Sequence, residues 1–183
     1  IFFKKACAQV GFDLPDAGRY GVGMVFLPRK VEEANFCEEA FERVIMREGL
    51  KFLGWRDVPI DSSQIGVTAQ AVEPSIRQVF VGCPASITET DVFERKLFLV
   101  RKQVENIVRE SVIAEKPFFH VTSLSAVTII YKGLLLADQL PRYYPDLVDE
   151  DMVSALALVH QRYSTNTSPT WDLAQPFRYM AHN

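Results

Sequence analysis

Runs of alternating apolar residues interleaved with runs at helical spacing mark this chain as an α+β protein. Composition agrees: 183 residues with 48% apolar, 11% aromatic and 23% charged side chains form an ordinary globular domain, or part of one. With 10 Pro and 9 Gly, and apolar residues from end to end, disorder, collagen and coiled coil are excluded. A chain of this length buries about two thirds of its unfolded surface, enough for a core without metal or disulfide.

The elements follow in order. Phe2, Phe3, Ala6 and Val10 have helix-like spacing and Gly11 stops the run, which predicts a short helix over residues 1 to 11. Pro15, Asp16 and Gly18 make a turn. Tyr20, Val22, Met24 and Phe26 then alternate up to Pro28, as in a strand with one buried face. From Lys30 to Glu48 the residues Ala34, Cys37, Phe41, Val44 and Ile45 recur at steps of three and four, a helix closed by Gly49, with Cys37 as a buried, inert thiol on its apolar stripe.

Lys51 to Val58 and Ile76 to Gly82 read as strands, joined by a polar connection containing Ser62, Ser63 and Gly66. Over Asp91 to Val112, the alternation of Phe93, Arg95, Leu97 and Leu99 gives way to helical spacing, so a strand running into a helix is expected. Phe118 to Leu124 and Ala126 to Tyr131 resemble two β-rich runs, Lys132-Gly133 ends the second, and Asp138 to Pro145 is a loop or short turn. Met152 to His160 is apolar. Neither an internal repeat nor a linker divides the chain, which is therefore one domain or a part of one.

A net charge of −3 provides no positive field for a phosphate backbone, so nucleic acid is not an expected partner. No run reaches the roughly 18 apolar residues of a membrane span, and a soluble protein is expected. Cys7, Cys37 and Cys83 form no Cys-x-x-Cys pair and no disulfide framework, which fits a reducing compartment. The absence of an initiator Met suggests a processed chain or an excerpt of a longer one.

Chemistry concentrates in His160-Gln161-Arg162-Tyr163-Ser164-Thr165-Asn166-Thr167 and in the polar stretch that follows to Asn183. If Ala155 to Val159 is a buried strand, Arg162 and Ser164 emerge at its end on one face, where a small polar ligand can be gripped. Arg162 offers a planar fork of donors for a carboxylate, and Thr165 and Asn183 add neutral hydrogen bonds. Taken singly, Arg162 reads as a surface or salt-bridge arginine, and Ser164, Thr165 and Asn166 read as ordinary turn or capping residues. His120, His160 and His182 lack metal-ligand spacing, and no metal is expected. Neither a Gly-x-Ser-x-Gly elbow nor a phosphate-binding glycine loop occurs.

The block from His160 to Thr167, with Trp171, Ala174-Gln175-Pro176-Phe177-Arg178 and His182-Asn183, resembles the class II glutamine amidotransferase domain of the glutamate synthase large subunit. Tyr20 to Leu27, Gly54-Trp55-Arg56-Asp57-Val58-Pro59, Phe93 to Leu97 and Ile130 to Leu134 agree in the same order, so the resemblance spans the chain. It implies an N-terminal-nucleophile hydrolase fold, a four-layer αββα sandwich, here incomplete at both ends, with residues 1–183 forming part of a single amidotransferase domain.

In that family an N-terminal cysteine attacks the glutamine amide, and the ammonia released is channelled to a flavin domain that makes glutamate from 2-oxoglutarate. By resemblance, Arg162 binds the substrate α-carboxylate, Thr165 supports it, Tyr163 and Ser164 shape the pocket wall, and Asn183 is an oxyanion-hole donor. The nucleophilic cysteine is not in this chain. Nor are the glycine that follows the oxyanion-hole asparagine and the aspartate that holds the substrate amino group. An internal cysteine has no adjacent α-amino group to act as base, so the 183 residues alone are expected to be inactive.

The resemblance further implies a cytoplasmic parent enzyme with FMN and an iron–sulfur cluster in other domains and none in this segment. Its partners are glutamine, the remainder of the large subunit, and a small NADPH-oxidising subunit. The electron donor, nicotinamide or ferredoxin, is not encoded here, though overall resemblance leans to the bacterial, nicotinamide-dependent form. Two alternatives stay open: an amino-acid-binding or scaffolding module that lacks the nucleophile, and a class II amidotransferase serving another acceptor.

Overall fold

The computed structural model describes residues 1–161, 166 and 168–178. Its elements are α1 (Phe2–Gln9), β1 (Tyr20–Leu27), α2 (Val31–Arg47), β2 (Lys51–Asp57), α3 (Val67–Ala71), β3 (Ser75–Gly82), α4 (Thr90–Glu110), β4 (His120–Ser125) and α5 (Leu140–Tyr143). The strands form one antiparallel sheet in the order β2-β3-β1-β4. With α2 and α4 as the crossovers, residues 20–125 trace a β-α-β-β-α-β path, the ferredoxin-like split β-α-β arrangement. β1 and β2 both run antiparallel to β3 and hence parallel to each other, an orientation that only a long connection such as α2 permits.

One face of the sheet carries α2 and α4. On α2, Cys37, Ala40, Phe41, Val44 and Ile45 are buried, Glu32 and Glu33 sit in the first turn and Arg47 in the last, matching the helix dipole. Gly49 follows with φ 75°, the left-handed stop that glycine adopts without strain. These side chains meet Val25 and Leu27 of β1, Val79 and Val81 of β3, and Phe93, Leu97, Val100 and Val104 of α4. Gly21 lets α4 approach: a Cβ there would lie 2.6 Å from Leu97 Cδ1.

The opposite face holds Val22, Met24 and Phe26 of β1 and Ile76 and Phe80 of β3. It is covered by α1, α3, the Tyr143-Tyr144 pair and Trp171 rather than by a second sheet among the described residues. β1 is therefore buried on both faces, where the alternation had predicted one. Gly21, Gly23 and Val25 read as a solvent side but face the helix layer, because small residues are what a close-packed helix requires.

Three further expectations are corrected. Residues 90–110 form one continuous helix, not a strand leading into a helix. Phe93, Leu97, Val100, Val104 and Val108 lie at steps of four and three and are buried, while Arg95 and Leu99 face solvent, so the apparent alternation was one helical stripe sampled too briefly. Ala126–Tyr131 is not a ladder strand. The Ile130 N–H donates to Ser123 Oγ at 3.1 Å, and Thr122 Oγ1 lies 3.2 Å from Ile130 O. Side chains of β4 thus take the bonds a neighbouring strand would have made, and the segment folds over the second face with Ile129 and Tyr131 in its core.

Ala155 to Val159 is not a buried strand: it has no regular structure, and Leu156, Leu158 and Val159 are 75%, 65% and 85% exposed. An apolar run becomes a buried strand only where a ladder partner and a covering layer exist, and the described residues supply neither here.

Candidate functional site

Arg162, Tyr163, Ser164, Thr165 and Asn183, the residues singled out from the sequence, lie outside the described residues. The chain on either side of the Arg162 block is described, and it converges on Lys132-Gly133. A pocket of about 510 Å³ is lined by Tyr131 to Gly133, Leu135 to Ala137 and Leu140 on one side, and by Leu158 to Gln161 with Gln175 and Pro176 on the other. A second pocket of about 280 Å³ lies between His120, Thr122, Lys132, Phe177 and Arg178. Lys132 belongs to both walls.

Lys132 is only 3% exposed. Its Nζ donates to the Asp172 carbonyl at 2.6 Å, approaches His120 Nε2 at 3.2 Å, and lies 5.6 Å from the centre of the Phe177 ring. Its own carbonyl accepts from the Tyr144 hydroxyl at 2.8 Å. Two basic groups this close cannot both be charged, so His120 is the neutral acceptor. Burial first, and then the charges of Lys132 and Arg178, press the His120 pKa down to about 3. Burial and Arg178 likewise lower Lys132 to about 8, opposed by Asp172.

A stability prediction follows from His120. Its folded-state pKa of about 3 lies below the ordinary 6.5, so between those values the unfolded chain binds a proton that the folded chain refuses. Stability is complete above pH 6.5 and falls as pH drops toward 3, by up to about 1.4 kcal/mol per pH unit from this group. Denaturant midpoints at pH 7, 5 and 4 should decline less steeply in His120→Gln than in the parent protein.

The strap from Trp171 to Arg178 is held at several points. Trp171 donates from Nε1 to the Ala69 carbonyl at 3.2 Å and stands edge-on to Phe26 at 5.8 Å. It also occupies the space above Gly133, where a Cβ would come within 2.5 Å of its ring. Arg178 donates to the Val121 carbonyl and approaches Glu105 at 3.7 Å.

Beneath the pocket wall is a buried polar network that the sequence reading missed. Arg56 donates twice to Asp146, at 2.8 and 2.7 Å, and once to Gln78 Oε1 at 2.8 Å. The Tyr131 hydroxyl donates to Asp146 at 2.8 Å and accepts from Gln78 Nε2 at 3.1 Å. Arg56 and Asp146 are 90 residues apart, so no local spacing announces them. Arg56 on β2 was visible only as part of the Gly54 to Pro59 motif.

The three cysteines are buried. Burial raises the thiols of Cys7 and Cys37 to about 12, which keeps them protonated and unreactive. Cys37 is thus the inert core thiol expected of it. Among the described residues no group of His, Cys, Asp and Glu gathers to hold a metal, and no helix is long and apolar enough to cross a membrane.

The family model of the class-II glutamine amidotransferases matches residues 1–183. The chain is 47% identical over 182 residues to the glutamate synthase [NADPH] large chain of Bacillus subtilis and 44% identical over 183 residues to that of Azospirillum brasilense, covering 100% of this chain and 12% of each relative. It is 42% identical over 181 residues to the chloroplastic ferredoxin-dependent glutamate synthase 2 of Arabidopsis thaliana, covering 99% of this chain and 11% of that protein. The chain thus spans about an eighth of the length of these curated relatives. A match along all 183 residues, including the Lys132-Gly133 hinge and the strap packed on it, means that this chain belongs to the class II glutamine amidotransferases.

Proposed function

We propose that these residues are part of the glutamine-hydrolysing domain of a cytoplasmic glutamate synthase, releasing ammonia from glutamine for channelling to 2-oxoglutarate. The observation that carries this reading is identity of 42% to 47% with glutamate synthases along the whole chain. The exposed apolar run Val153 to Val159 supports it, being the kind of surface that a larger protein covers. In this reading residues 1–183 lie within one domain, whose four-layer sandwich involves chain beyond those described here. The split β-α-β unit supports its pocket from outside.

The chemistry has two steps. A cysteine thiol supplied from outside these residues adds to the glutamine side-chain carbonyl; the carbon–nitrogen bond breaks, ammonia leaves and a thioester remains. Water then hydrolyses the thioester to glutamate and free thiol. Arg162 grips the α-carboxylate through two parallel N–H donations, Thr165 supports the substrate, and Tyr163 and Ser164 form the wall. Asn183 donates to the oxygen that becomes negative in each tetrahedral intermediate. His160 and Gln161, which immediately precede Arg162, line the 510 Å³ pocket, a volume suited to an amino acid.

FMN and an iron–sulfur cluster belong to other parts of such an enzyme. The thiols here do not fit a cluster: Cys7 packs with Val22 and Phe80 on one face of the sheet and Cys37 lies in the core of the other. A small NADPH-oxidising subunit is the proposed electron-delivering partner.

The test is Arg162→Lys in the full-length protein. Loss of the planar fork should raise the KM for glutamine by about 10- to 100-fold, the equivalent of one charged bidentate contact. Glutamate synthesis from free ammonia should continue. Equal loss of both activities would show the arginine to be structural, and would remove the support for a glutamine site at this block.

A further inference from the structure

We infer that the pocket of about 280 Å³ beside β4 is a binding site for a short aliphatic carboxylate, held between Lys132 and Arg178 and separate from the pocket assigned to glutamine. The two pockets share Lys132 and no other described residue. What carries this is a buried ammonium without a counter-ion. Lys132 is 3% exposed, and lysine is almost never buried so far unless it is paired. Its acceptors are the Asp172 carbonyl at 2.6 Å and His120 Nε2 at 3.2 Å, both uncharged. An ammonium has three N–H donors, so one is left without an acceptor among the described residues.

The surrounding charges do not cancel. Arg101 and Arg178 act on the same His120 ring as Lys132 does. Glu105 lies 2.9 Å from Arg101 and 3.7 Å from Arg178, and Asp172 acts on Lys132 and His120 from further off. Three cations against two carboxylates leave one positive charge, and it stands where water is nearly excluded. A buried charge of this kind is costly, and an anion entering the pocket removes the cost.

The lining selects the kind of anion. Thr122 has its hydroxyl engaged at the Met24 and Ile130 carbonyls, at 3.0 and 3.2 Å, and His120 is neutral, which leaves the two cations to meet a ligand's charge. The Phe177 ring offers an apolar wall on which a few carbons can lie. An inorganic anion would leave that wall uncovered, whereas a carboxylate with a short carbon chain covers it.

The test uses succinate as the probe on the full-length protein. Acetylation of Lys132 by acetic anhydride at pH 8, followed by mass spectrometry of the peptide that carries it, reads this one amine. Burial and Arg178 hold the Lys132 pKa at about 8, so a reactive neutral fraction is present. Saturating succinate should slow the labelling by about tenfold, and sodium chloride at the same ionic strength should not. Arg178→Gln should raise the half-protecting succinate concentration by about tenfold. Glu105→Gln, which removes the carboxylate facing Arg178, should lower it, and serves if the arginine variant does not fold. The inference is overturned if succinate protects no better than chloride, or if neither variant moves the half-protecting concentration. It is overturned equally if that concentration rises in proportion to added glutamine, because the carboxylate would then lie in the glutamine pocket. No turnover is measured, so the outcome is independent of the functional reading.

Discussion

Asn183→Ala in the full-length protein is expected to lower kcat for glutamine-dependent glutamate synthesis by about 100- to 1,000-fold, the effect of removing one amide donor from an oxyanion hole. The reason is differential binding. The ground-state amide oxygen of glutamine carries little charge, and the tetrahedral intermediate carries a full one, so the lost donation falls on the transition state. KM should stay within a few fold, and synthesis from ammonia, which bypasses hydrolysis, should be retained. Steady-state kinetics with each nitrogen donor measures both quantities; a large KM effect with kcat preserved would assign Asn183 to ground-state binding instead.

The second large effect is on stability. Asp146→Ala is expected to destabilise the domain by about 3–5 kcal/mol, because it leaves Arg56 charged and unpaired in the interior. Arg56 and Asp146 are 7% and 3% exposed, and Tyr131 and Gln78 lose the same partner network. For a domain of this size that corresponds to a fall in Tm of about 10 °C. The exposed Lys4–Asp16 pair, at 2.9 Å with side chains 48% and 92% accessible, shows why burial matters. Such surface pairs contribute little, because solvent screens both charges. Thermal unfolding of the Asp146→Ala and Asp16→Ala variants side by side would reveal the contrast; equal shifts would mean that the Arg56 site admits water.

The network also bears on the pocket. Asp146 fixes the turn after α5, Tyr131 adjoins Lys132, and both are pinned to β2 and β3 through Arg56 and Gln78. Losing the pair should therefore loosen the wall on which Lys132 and Gly133 stand.

Much of the secondary structure was legible from periodicity. The α2 stripe, the β1 and β3 strands and the Gly49 stop depend on neighbours within a few residues, which is the range over which side-chain pattern and backbone preference act. The α4 error arose at that same range, since Phe93 and Leu97, four apart, satisfy both periods, Leu99 fits only the alternation, and Val100 and Val104 fit only the helix. The segment 126–131 has strand composition, but the hydroxyls of Thr122 and Ser123 occupy the backbone groups of Ile130.

Of the candidate site, the roles of Arg162, Tyr163, Ser164, Thr165 and Asn183 rest on resemblance, and these residues lie outside the described ones. The hinge at Lys132-Gly133 was present in a motif without a role. What the amino-acid sequence by itself determined is local: which segments are helices or strands, where they stop, and which family the chain resembles. Tertiary structure alone decided the sheet order, the double burial of β1, the Arg56–Asp146 pair and the seat of the strap on Lys132. These depend on residues tens of positions apart. Such contacts form only when burial of both sheet faces offsets the entropy of closing the long loops between them, and no local pattern records that balance.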